Sequence, residues 1–261
     1  MCNGFGRIAV CGKGGVGKTA FIAMLSKVLL EDGKAGDLLI IDADPAVGLP
    51  SALGITVKNT IGQVREQVLD AAESNDPDAG KNMASKLDYL IMESLVEADG
   101  FSYIAMGRTE KRGCYCSVND LLRLALDSMT DKFDTILIDG EAGLEQINRQ
   151  VTKSLDYLYI LTDASNRGRE TIEHIRHIVV DEKTVECGDV EVILNRVPDG
   201  KEDALTDLIE KQDLPIGGII PLDETVIEYD LVGRSLHELP NDSPALAAVR
   251  RIGKRLAKKT E

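Results

Sequence analysis

The stretch GRIAVCGKGGVGKTAFIAML, Gly6 to Leu25, decides the architecture. Its opening GRIAVC reads as a buried strand, and KTAFIAMLSKVLLED from Lys18 onward has the apolar spacing of a helix. Between them Gly12 to Thr19 match G-x-x-x-x-G-K-T, in the strand–turn–helix context the motif needs. Glycines let backbone N–H groups turn inward around an anion, and the helix N-terminus adds positive potential. The predicted nucleotide contacts are Gly12, Lys13, Gly14, Gly15, Val16, Gly17, Lys18, Thr19 and the adjoining Ala20. Lys18 reaches the β- and γ-phosphates and the Thr19 hydroxyl binds Mg²⁺.

Working outward, further apolar runs alternate with helical patterns. Candidate strands are DLLIIDAD (37–44), DYLIME and FSYIAMG (within 88–107), FDTILIDG (133–140), DYLYILTD (156–163), VEVILN (190–195) and IGGII (216–220). NRGRETIEHIRHI and KEDALTDLIEKQ read as helices, and the polar segment 71–86 as a surface loop. Continuous apolar strands alternating with helices predict an α/β fold, a mostly parallel central sheet covered by helices on both faces. Residues 1–261 form one domain, an expectation consistent with chain length. Ligands of such sheets bind at the carboxyl ends of the strands. That is where Cys11, Asp42, Asp44, Asp139 and Asn195 fall.

Composition narrows the partners. A net charge of −14 disfavours phosphate backbones, so no nucleic-acid partner is expected. No apolar run approaches a membrane span, and no secretory segment is evident, so a cytoplasmic location is expected. The basic C-terminal SPALAAVRRIGKRLAKK has no aromatic anchor, which predicts a helix packed on the sheet rather than stable membrane association. Cys11 reads as a small core residue, Cys187 as part of a polar loop, and neither Cys2 nor Cys187 is assigned a role. Glu170, His174 and His177 share a helix face that reads as solvated.

The loop KGGVGKT, with its additional Lys13, resembles the deviant Walker A loop of the ATPases that include the nitrogenase iron protein and the septum-site and plasmid-partition proteins. The resemblance implies a P-loop NTPase in which Lys13 contacts nucleotide held by a partner subunit, so that ATP binding makes a homodimer. It implies that IIDADPAVGLP is a first switch, with Asp44 positioning the attacking water and Asp42 near the Mg²⁺ shell. Lys13, Lys18 and Asp44 are thus the catalytic set. TILIDGEAG has the form of a Walker B strand and second switch, with Asp139 on Mg²⁺. Glu141 is either a switch contact or a solvated acid. Asn195 and Arg196, in VILNRVP, are predicted base contacts, and the lack of N-K-x-D favours ATP over GTP.

Cys114 and Cys116, in KRGCYCSVND, stand one residue apart. By spacing alone they are inert thiols, a redox pair or metal ligands. One chain supplies two thiolates where a closed zinc site wants four, and a two-fold dimer would bring two pairs together. Ni²⁺, Zn²⁺ or an iron–sulfur cluster all suit such ligands. MGRTEKRGCYCSVNDLLR, IDGEAGLEQINRQ, TDASNRGRETI and PLDETVIEYDLVGRSLHELPNDSPA resemble the carbon monoxide dehydrogenase maturation ATPases of the CooC type. The resemblance implies an accessory protein for nickel insertion into carbon monoxide dehydrogenase or acetyl-CoA synthase. The alternatives are an ATP-dependent iron–sulfur reductase, and a spatial-positioning ATPase acting on membranes or DNA. DGEAG has no cysteine where the nitrogenase iron protein ligates its cluster, which argues against that electron-transfer role.

Overall fold

The structure is a computed structural model that describes residues 4–74, 79–108, 116–140, 151–152, 154–163, 166–181, 186–201, 206 and 214–259. The described strands are β1 Gly6–Gly12, β2 Leu38–Asp42, β3 Val96–Glu97, β4 Phe101–Ala105, β5 Thr135–Asp139, β6 Ser154–Asp163, β7 Glu186–Val197 and β8 Ile216–Pro221. They form one sheet in the order β3-β4-β2-β5-β1-β6-β7-β8, parallel throughout except for the short antiparallel edge strand β3. The expected α/β architecture is observed.

The described α-helices are α1 Lys18–Asp32, α2 Leu49–Leu53, α3 Ile61–Glu73, α4 Ala79–Ser94, α5 Cys116–Thr130, α6 Asn166–Arg176, α7 Glu224–Leu231 and α8 Pro244–Lys259. Alternation along β1 shows why both faces are covered. Ile8 and Val10 pack into the core beneath α1 and α8, while Ala9 and Cys11 pack into the core on the opposite face. The edge-to-face pair Phe21–Tyr159, with centroids 5.9 Å apart, locks α1 to β6. Helix α8 spends its apolar side, Leu246, Val249, Ile252 and Leu256, in the same core, as expected for a packed terminal helix. Among the described residues no helix is long and apolar enough to cross a membrane.

Three sequence expectations need correction. DYLIME lies in α4, not a strand. Leu87 and Ile91 are buried four residues apart while Tyr89 is 63% exposed, a helical rather than a two-residue period. The polar segment 71–86 is not one loop: Ala71–Glu73 end α3 and residues 79–86 open α4. Within these helices Glu73, Ser85 and Lys86 are exposed. Cys187 lies within β7, paired with Leu155, because β6 and β7 extend further toward their N-termini than their apolar runs suggest.

Candidate functional site

β1 sits between β5 and β6, and the glycine loop emerges at its carboxyl end, where neighbouring strands deliver Asp139 and Asp163. The loop is tight. Gly17 caps α1 with φ 93°, and a Cβ there would stand 2.6 Å from the Asn195 amide nitrogen. Any side chain at Gly17 would expel Asn195 or open the loop. Lys18 is 7% exposed and folds back over the loop, its ammonium donating to the carbonyls of Gly12 at 3.0 Å and Lys13 at 3.4 Å. A buried ammonium held by neutral carbonyls keeps its charge available for phosphate. Asn195 Nδ2 donates to the Val16 carbonyl at 2.8 Å, and Arg196 Nη1 to the Gly15 carbonyl at 2.9 Å. Lys13 instead pairs with Asp163 at 3.3 Å, both side chains partly exposed.

Beside the loop, Asp42 and Asp139 end adjacent strands in register. Asp139 is 2% exposed. Its Oδ2 accepts the Thr19 hydroxyl at 3.3 Å, whereas its buried Oδ1 has no hydrogen-bond partner among the described residues. Burial, then the Asp42 charge, pushes the Asp139 carboxyl up to about 7. Burial likewise pushes Asp42 up to about 6. Two desolvated carboxyls, one of them with an orphaned oxygen, and a hydroxyl make a donor set that fits a hard divalent cation such as Mg²⁺.

β2 stops at Asp42, so Asp44 lies in a loop rather than on an alternating strand. The Asp42 carboxylate organises that loop. Its Oδ1 accepts the Asp44 amide at 3.1 Å. Its Oδ2 accepts the Tyr103 hydroxyl at 3.0 Å and the Leu49 amide at 3.3 Å. Asp44 is half-buried and accepts the Ala46 amide at 2.8 Å. Val47 closes the turn with φ 51°, a left-handed conformation that is strained for a β-branched residue.

A cavity of about 290 Å³ opens next to the loop, lined by Ala20, Met24, Asn195, Arg196, Pro221 and Ile227 among others. Sequence reasoning placed Ala20, Asn195 and Arg196 here but missed the wall from Pro221 to Asp223 and α7. Asp223 is the anchor of that wall. Its carboxylate accepts the Thr225 amide at 2.9 Å, the Ser243 hydroxyl at 2.6 Å and the Ala245 amide at 3.1 Å. Burial alone would raise it, but these hydrogen bonds prevail and hold it below its ordinary value. The signal was present in PLDETV, an aspartate directly before a helical run, where it serves as an N-cap.

Glycine loop, buried lysine, paired strand-end acids and adjoining cavity together make an arrangement that fits a nucleoside triphosphate. Residues 7–186 match the AAA_31 family, an AAA domain. The chain belongs to the AAA_31 family and is a P-loop ATPase. This ATPase is 38% identical over 255 residues to the uncharacterized ATP-binding protein MJ0685 of Methanocaldococcus jannaschii, covering 97% of this chain and 98% of that protein. It is 30% identical over 253 residues to the carbon monoxide dehydrogenase accessory protein CooC of Rhodospirillum rubrum, covering 92% and 91%. Its fold matches the Pyrococcus furiosus cell division ATPase MinD with a TM-score of 0.67 at 23% identity, covering 98% of this chain and 100% of that one.

The remaining predicted residues divide into two groups. Cys114 and Glu141 lie outside the described residues, and the backbone of Cys116 begins α5. Cys11 is buried and desolvation drives its thiol far up, as suits a core residue. Burial pushes Cys187 up to about 11. Glu170, His174 and His177 are exposed, and no group of three His, Cys, Asp or Glu able to hold a metal occurs among the described residues.

Proposed function

We propose that this ATPase is an accessory protein for a nickel enzyme, carbon monoxide dehydrogenase or acetyl-CoA synthase, and that ATP closes it into a homodimer carrying Ni²⁺ or Zn²⁺ on Cys114 and Cys116. The observation that carries this reading is the likeness to the R. rubrum accessory protein, which covers 92% of this chain.

In the chemistry, water attacks the γ-phosphorus of ATP and the β–γ bridging bond breaks, giving ADP and phosphate. Mg²⁺ supplies charge neutralisation at the phosphates, and Thr19 and Asp139 are the residues that would hold it. Asp42 ends the adjacent strand and would join that shell through Oδ1, which accepts a single amide. Asp44 orients the water, and the Asp42 carboxylate sets the position of Asp44. Lys18 balances charge on the transferred group. Asn195 gives one amide N–H to Val16, and its carbonyl oxygen is an acceptor suited to the amino group of adenine. Lys13 leaves Asp163 to reach nucleotide in the partner subunit. Two copies then bring four thiolates together, and hydrolysis releases metal and partner.

The test is light scattering of protein with a nonhydrolysable ATP analogue and Ni²⁺, beside the Cys114→Ala/Cys116→Ala double variant. Wild type is expected as a dimer with bound nickel. The variant is expected to dimerise without it. A wild type that stays monomeric under both ligands, or a variant that binds equal metal, overturns the reading.

A further inference from the structure

We propose that Arg196 is a positioning residue of the phosphate loop, delivered there together with Asn195 by a β-bulge that breaks the alternation of β7. Successive side chains of a strand point to opposite faces, so an unbroken β7 would send Asn195 and Arg196 in opposite directions. The pairing of β7 with β8 shows the break: Leu194 faces Ile219 and Val197 faces Pro221, so one residue more lies on β7 than on β8. At that point Arg196 takes φ 55°. Left-handed backbone at a residue with a long side chain costs folding free energy and persists where something holds it. Bulges near active sites re-aim side chains, and here both side chains end on the same loop.

The two contacts are to consecutive carbonyls. Arg196 takes Gly15 at 2.9 Å and Asn195 takes Val16 at 2.8 Å. In a trans peptide the C=O and the following N–H point in opposite directions. Holding these carbonyls toward β7 therefore turns the Val16 and Gly17 N–H groups to the inside of the loop. The Val16 N–H meets the Lys13 carbonyl there at a long 3.3 Å, which leaves it readily drawn to a stronger acceptor. Asn195 is 6% exposed and braces the loop from below, while exposed Arg196 closes it from outside. Arg196 acts on phosphate through the loop's amides and does not depend on the base.

The experiment measures binding of ATP and of inorganic tripolyphosphate, which has no base, by calorimetry to wild type, Arg196→Gly and Arg196→Ala. Arg196→Gly keeps the backbone conformation without its strain, so it is expected to melt within about 3 °C of wild type or above it. Both ligands are expected to weaken together by about tenfold, the size of one charge-assisted hydrogen bond. A loss confined to ATP places Arg196 on the base and overturns the proposal. So do affinities within twofold of wild type for both ligands. A fall in melting temperature that tracks the affinity loss across both variants marks a merely structural role and also overturns it. Wild-type ATP binding is the control that separates this outcome from failure of the site itself.

Discussion

Replacing Asp139 with asparagine should stabilise the protein while abolishing its metal-dependent chemistry. The Asp139 carboxyl titrates near 7 in place of its ordinary 3.8 because burial and Asp42 oppose its charge. At pH 8 without divalent cation, keeping that charge costs the folded state about 4 kcal/mol, an upper bound because the two acids share the penalty. Asparagine removes the charge and still accepts the Thr19 hydroxyl, but it puts an amide N–H where Oδ1 already lacks a partner. An unsatisfied group of that kind costs about 1–3 kcal/mol. The net gain is about 2 kcal/mol, which for a chain this size is a rise of roughly 5 °C in melting temperature. The sign depends on pH. Between the ordinary 3.8 and about 7, the folded wild type keeps a proton that the unfolded chain has released. Wild-type stability therefore falls as pH rises through that window, and the variant lacks this slope. The advantage of Asp139→Asn should shrink below pH 7 and reverse toward pH 4. Mg²⁺ with ATP should raise the wild-type melting temperature and leave the variant unmoved. Scanning fluorimetry in EDTA across this pH range checks the reasoning, and a variant that melts at or below wild type at pH 8 refutes it.

Four further outcomes are expected. Lys18→Ala should cut ATP hydrolysis by about a hundredfold or more in a phosphate-release assay, because the variant lacks the buried ammonium over the loop. Tyr103→Phe removes a fully buried hydroxyl from Asp42 and should cost about 1–2 kcal/mol in urea unfolding, together with a lower hydrolysis rate through the loosened Asp44 loop. Leu246→Ala in α8 should cost about 2–5 kcal/mol by the same unfolding measurement, since that side chain is fully buried in the core shared with α1. Lys13→Ala should keep nucleotide affinity within a few-fold yet lose ATP-dependent dimerisation by light scattering. The Lys13 side chain pairs with Asp163.

What was legible in the sequence was what local chemistry decides. The glycine loop and the strand before it needed no knowledge of distant residues, because their conformation follows from missing Cβ atoms and from an apolar run entering a helix. Asp42 and Asp139 were legible as strand-end acids. That Asp42 organises the Asp44 loop was not, because it depends on Tyr103 arriving from β4. DYLIME failed for a different reason: a short apolar run does not reveal its period. The choice between strand and helix was made by the burial of Leu87 and Ile91 against neighbouring elements.

The NRVP segment marks the boundary between the two kinds of information. Its asparagine and arginine are adjacent, and every local rule for a strand separates their directions. What brings them to one loop is the mismatch of β7 against β8, a pairing with residues some 25 positions later in the chain. The same mismatch explains why a non-glycine residue occupies left-handed space there. Glycine at 196 would adopt that conformation freely and would leave the Gly15 carbonyl without its guanidinium. The strain is thus the cost of carrying a side chain at a position whose backbone is set by the bulge. Relief of that strain and loss of the contact act in opposite directions on stability, whereas only the lost contact bears on phosphate affinity. Function at this position is therefore separable from fold, which is not so for Gly17, where any side chain would disturb both.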